Sequence, residues 1–122
     1  MSEQIQLAGM PAPRPKLLEK ELLAAVIDTA RLFGWRIAHF RPAMTKHGWK
    51  TAVGGDGAGF SDLVLVRDGV LWVELKVGGN TLSDEQAAWL EALRAAGEEC
   101  YVWTDHDWFA GVVEARLRRA PA

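Results

Sequence analysis

The stretch Leu63–Lys76, LVLVRDGVLWVELK, constrains the fold more than any other. Two runs rich in leucine and valine are joined by Arg67-Asp68-Gly69. A parallel crossover needs about a dozen residues, so the two runs can only pair as an antiparallel hairpin. Strand side chains alternate between faces, which puts Glu74 and Lys76 on one face. The position of Asp62 depends on register. A two-residue Asp68-Gly69 turn pairs Asp62 with Leu75 and points it away from Glu74. A three-residue loop pairs Val66 with Val70 and Asp62 with Glu74, and its last position, in the left-handed region, suits Gly69. The second register is expected; a bulge near Glu74 would serve as well. Val64, Val66, Val70 and Trp72 then share the face of Asp62, Glu74 and Lys76, a largely covered face that ends in two acids and a base. Neighbouring carboxylates repel unless a cation lies between them. Hard oxygen ligands suit magnesium or manganese, with several waters retained.

The rest of the chain supplies layers for this hairpin. Lys16–Phe33 reads as a helix with Leu18, Leu22, Ala25, Val26, Leu32 and Phe33 on its apolar stripe and Gly34 as its stop. Trp35–Arg41 alternates as a strand and ends at Pro42. Pro42–Ser61 is a long glycine-rich loop, and such a loop either carries function or hides an element. Gly78–Leu82 is a turn. Asp84–Ala96 is a helix with Ser83 as N-cap and Gly97 past its end. Cys100–Thr104 is a last strand, Asp105 begins a loop or cap, and Trp108–Arg118 is a final helix. This order predicts a single α/β domain, a mixed central sheet of about four strands flanked by helices. The last strand is expected beside Val70–Lys76, in parallel, through a right-handed crossover. Residues 1–15, with three prolines, read as a flexible tail ahead of a domain spanning 16–119.

Composition narrows the function classes. A chain of 122 residues, 49% hydrophobic, suits one core. No apolar run approaches the roughly 18 residues of a membrane span. One cysteine rules out a disulfide framework within the chain, and the start lacks the pattern of a secretion signal, so a cytoplasmic setting is expected. The three histidines and the cysteine have no zinc-ligand spacing. A net charge of −2 argues against a basic nucleic-acid coat but not against an enzyme that acts on nucleic acid.

Gly59-Phe60-Ser61-Asp62, then Glu74-Leu75-Lys76, then Leu82-Ser83-Asp84-Glu85-Gln86 resemble the PD-(D/E)xK nuclease superfamily. Within it they most resemble the VRR-NUC group, small nuclease domains of phage, bacterial and eukaryotic repair proteins. The resemblance runs from about Glu19 to Trp108. It implies a restriction-endonuclease-like core, α-β-β-β-α-β-α, similar to that of Holliday-junction resolvases. It also implies roles. Asp62 and Glu74 would hold a Mg2+ or Mn2+ ion with the backbone carbonyl of Leu75. Lys76 would orient the attacking water or stabilise developing charge. Glu19 would complete the site from the first helix, and Gln86 matches a recurrent active-site glutamine. Two positions depart from the pattern. Ser61 stands where proline usually precedes the aspartate, and Leu23 stands where a glutamine often follows the first-helix acid.

The residues weigh these roles independently. Glu19 lies on the side of its helix shared by Leu22, Val26 and Phe33, whereas Glu21 lies farther round. An acid leaning toward an apolar face has a reason if a metal or its waters are there; the alternative is a glutamate that reaches back to solvent. For Gln86 the rival reading is a capping box with Ser83. His39 and Arg41 share one face of the first strand, and Lys46, His47 and Lys50 follow with Trp49 among them. Basic residues with an interleaved aromatic suit a DNA backbone and an unpaired base; a solvated loop is the alternative. Arg116, Arg118 and Arg119 suit a helix C-terminus as well as DNA. The expected activity is metal-dependent endonucleolytic hydrolysis of DNA, directed at branched or junction structures, and the resemblance to resolvases implies a homodimer. A catalytically silent nucleic-acid-binding or assembly module with the same fold is the competing reading.

Overall fold

The computed structural model describes residues 16–40, 43–45, 48–50 and 54–120, with side chains for all of these except 43–45 and 48–50. The expected tail at residues 1–15, and Arg41, Lys46 and His47, lie outside the described residues. In chain order the elements are α1 (Glu19–Leu32), β1 (Arg36–His39), β2 (Ala43–Thr45), β3 (Gly48–Lys50), β4 (Leu63–Val66), β5 (Val70–Lys76), α2 (Asp84–Ala95), β6 (Glu99–Thr104), α3 (Asp105–Phe109) and α4 (Val112–Arg118).

The main sheet has the order β1-β4-β5-β6. Its first two pairings are antiparallel and the β5–β6 pairing is parallel, so the domain is the expected α/β fold with a four-stranded mixed sheet. The hairpin adopts the expected register, with Val66 opposite Val70 and Leu63 opposite Val73. Its tip differs from expectation. Gly69 is not among the positive-φ glycines; the Arg67 N–H instead donates to the Gly69 carbonyl at 3.1 Å. The Arg67 side chain pins that tip. Its guanidinium donates to the carbonyls of Phe33 (3.2 Å) and Leu117 (3.0 Å) and lies 4.3 Å over the Trp35 ring. A cation thus sits at the C-terminal ends of α1 and α4, where the helix dipoles favour it.

Alternation sorts the two faces of the sheet. Leu63, Leu65, Leu71, Val73 and Leu75 are at most 2% exposed, and they pack with Leu22, Val26 and Ala30 of α1 and with Val113 and Leu117 of α4. Leu18 and Leu32, expected on the α1 stripe, are 59% and 76% exposed. Each lies at an end of the helix, beyond the reach of the sheet, so periodicity alone overextends the buried stripe. The opposite face of the sheet is thinner. Val64, Val70 and Trp72 are half-buried and Val66 is exposed. There Phe60 sits edge-to-face with Phe40, Trp72 and the α2 residue Trp89, at 5.2, 5.9 and 5.0 Å between ring centroids. Trp35 and Trp103 are core residues, whereas Trp72 and Trp89 line this half-buried cluster.

Three boundaries correct the sequence reading. The loop Pro42–Ser61 is not structureless, because β2 and β3 pair within it. The expected helix Trp108–Arg118 is two helices, broken where Gly111 adopts φ 78°. Of the loop or cap expected at Asp105, the structure has a cap one residue earlier: Thr104 is the N-cap of α3, accepting the Asp107 N–H at 3.0 Å, and Asp105 is the first residue of that helix. Arg116 and Arg118 are held by Glu99 and Glu114. Among the described residues no helix is long and apolar enough to cross a membrane.

Candidate active site

The site end of the hairpin is assembled by a close backbone approach. Gly59 has φ 80°, and a Cβ there would lie 2.5 Å from the Glu85 carbonyl carbon and 2.6 Å from the Gln86 nitrogen. Only glycine lets the first turn of α2 press against the segment that leads into β4. Phe60 then enters the aromatic cluster, and Ser61 is buried. Asp62 follows. Its main-chain carbonyl accepts the Phe40 N–H at 3.1 Å, which extends the β1 pairing. Its carboxylate Oδ2 accepts the Leu75 N–H at 2.8 Å, beyond the last β4–β5 ladder pair. The N–H and C=O of a strand residue leave on the same side, so the Leu75 carbonyl also turns toward Asp62.

Glu74 is 1% exposed, unusual for a carboxylate. Oε1 accepts the Gln86 Nε2–H at 3.1 Å, and Oε2 is buried with no partner. Burial first, and then the neighbouring Asp62 carboxylate, push the Glu74 carboxyl up to about 9. The charge of Glu19 adds to that rise and the charge of Lys76 opposes it. A buried oxygen with no donor is costly, and a proton or a cation relieves it.

The two readings of Gln86 turn out to be compatible. Its Oε1 accepts the Ser83 N–H at 2.9 Å while the Ser83 hydroxyl accepts the Gln86 N–H at 3.2 Å, a complete capping box. Its Nε2 faces Glu74. The cap therefore orients the amide, because the carbonyl end is already committed to the helix start.

Glu19, the first residue of α1, lines a cleft of about 290 Å³ together with Lys20, Leu23, His39, Phe40, Asp62 and Leu75. Glu21 is committed elsewhere, since its carboxylate accepts the Leu18 N–H at 2.8 Å. Leu23 forms an apolar wall where the resemblance leads one to expect a glutamine. Lys20 was missed at the level of sequence; its only signal was adjacency to Glu19 in the first turn. The fold thus gathers Asp62, Glu74, Gln86, Lys76, Glu19, Leu75 and His39 at one end of the sheet. Lys50 belongs to β3, whose side chains are not described. A larger concavity of about 590 Å³ lies along α2, lined by Ala88, Trp89 and Ala92, and contains neither Asp62 nor Glu74.

The donor set can be tested for a metal. Among the described residues no three His, Cys, Asp or Glu side chains converge on one point. Magnesium or manganese needs no closed protein cage, since either binds through one or two carboxylates and keeps its waters. The orphaned Glu74 Oε2 beside Asp62 fits such an ion.

No curated protein and no solved structure matched this chain. The VRR-NUC domain family matches residues 16–105, a span that includes every residue gathered around Asp62 and Glu74, and the chain belongs to that family of nuclease domains.

Proposed function

We propose that this protein is a metal-dependent endonuclease that hydrolyses DNA phosphodiester bonds, with branched or junction DNA as its substrate class. The observation that carries the reading is the buried Glu74 Oε2 next to Asp62, an oxygen without a hydrogen-bond partner whose cost a proton relieves in the free protein and a divalent cation can take over. Asp62 and Glu74, with the Leu75 carbonyl, would hold Mg2+ or Mn2+. Such an ion supplies Lewis-acid polarisation of a phosphoryl oxygen and acidifies a water. The chain's own residues do the rest. Gln86 holds Glu74 in one orientation and leaves Oε2 free to bind. Lys76, on the face of Glu74, places positive charge where the phosphoryl group gains negative charge. Glu19 lines the cleft from α1, where it would order water around a bound ion. His39 lines the cleft and meets the substrate backbone, joined by the basic residues Arg41, Lys46, His47 and Lys50.

The test is cleavage of supercoiled plasmid and of a panel of branched DNAs in Mg2+, Mn2+ or chelator. Cleavage that needs metal and disappears in Glu74→Ala supports the nuclease. Metal-independent DNA binding without cleavage of any substrate would replace it with the silent binding module.

A further inference from the structure

The entry into α1 lacks an ordinary cap. Its N-cap is Leu18, which has no side-chain acceptor, so the box closes from one side only, through Glu21. The chain just before it is secured from a distance instead. The Leu17 N–H donates to Asp105 Oδ2 at 3.3 Å, across 88 residues of sequence. Asp105 is 8% exposed, and its other oxygen accepts the His106 N–H at 3.1 Å. The β5–β6 register sets Lys76 opposite Thr104, so Asp105 emerges at the same end of the sheet as the candidate site. One carboxylate thus serves the starts of both α1 and α3, where helix dipoles favour negative charge.

Glu19 lies two residues beyond Leu17. We infer that Asp105 is a positioning residue: by holding the start of α1, it keeps Glu19 in the cleft beside Asp62. The inference rests on the reading of Glu19 as part of a metal site. Asp105 touches no substrate or metal in this scheme and acts through the backbone of α1. The apolar packing of Leu17 against the core sets the depth of the segment. The hydrogen bond from Leu17 sets its direction, which apolar packing alone does not specify.

Two readouts on the full chain test this. In metal-free protein, hydrogen exchange across residues 17–22 should quicken in Asp105→Ala and recover in part in Asp105→Asn, which keeps an acceptor oxygen. By calorimetric titration with Mn2+, Asp105→Ala and Glu19→Gln should each weaken binding by about 10-fold. The double variant should be no weaker than either alone, because both remove the same contribution. Unchanged exchange at 17–22 would overturn the inference. So would an Asp105→Ala protein that melts earlier yet binds Mn2+ as the wild type does, or a double variant whose losses multiply. A wild-type protein that binds no Mn2+ would sink the metal reading of the site and this inference with it, an outcome distinct from the others because it is seen before any variant is made.

Discussion

The two ends of the β4–β5 hairpin both carry charged groups and treat them in opposite ways. At the tip, Arg67 spends its guanidinium on the helix-end carbonyls of Phe33 and Leu117 and on the Trp35 ring, and Arg116 pairs with Glu99. At the other end, Glu74 is more deeply buried than any of these groups, yet one of its oxygens has no donor and the neighbouring charge that acts on it most is that of another acid, Asp62. Charges that only support the fold are matched. The unmatched acid pair is where the fold bears a cost that a ligand can remove.

The largest effect expected at the unmatched end is on chemistry. Glu74→Ala should lower metal-dependent cleavage by more than about 100-fold while leaving a folded protein, measured as initial rates on plasmid. A variant that cuts at the wild-type rate would erase the distinction between the two ends.

Backbone geometry gives the next effect. Gly59→Ala places a Cβ against the backbone of Glu85 and Gln86 at a positive φ, and neither side can yield. Urea unfolding should show a stability lower by about 2–4 kcal/mol. Displacing the first turn of α2 should also break the hydrogen bond from Gln86 to Glu74.

The pH dependence should separate the ends more finely. Glu74 keeps its proton up to about 9 in the folded protein, against a reference value of 4.5. Below the lower value both states are protonated. Between the two, the folded state binds the extra proton, so metal-free stability falls as pH rises through this window. At pH 7 the loss is at most about 3 kcal/mol. Urea unfolding in chelator at pH 5, 7 and 9 should show that decline, and Glu74→Gln should flatten it. A wild-type profile as flat as that of Glu74→Gln would show that Glu74 is not strained in the free protein.

At the matched end, Arg67→Met should cost about 1–3 kcal/mol of stability, since it strips donors from helix-end carbonyls, and should leave the cleavage rate unchanged. A stability near wild type would show that this network is ornamental. The smallest effect is expected from Ser83→Ala, about 1 kcal/mol from removal of the cap.

Much of this was legible from local sequence. Alternation and loop length gave the bounds and register of the hairpin, because both act between residues close in the chain. Ser83 and Gly97 bracketed α2 for the same reason. The motif residues Asp62, Glu74 and Lys76 could be brought to one sheet end from spacing alone. What pattern could not supply was everything that depends on packing from afar. The conformation of Gly69 departs from the turn rule because Arg67 anchors the tip to segments on either side of the hairpin in sequence. The short β2–β3 pair escapes pattern reading because its strands are only three residues each, too short for periodicity to register. The two roles of Gln86 look exclusive until α2 is docked on the sheet. The depth of Glu74 and the tie from Asp105 to Leu17 arise only when elements distant in sequence close over one another. Local order follows from steric and hydrogen-bonding rules that each short segment carries with it. Desolvation, which sets the chemistry at Glu74, is a property of the assembled neighbourhood and exists only once the chain has folded.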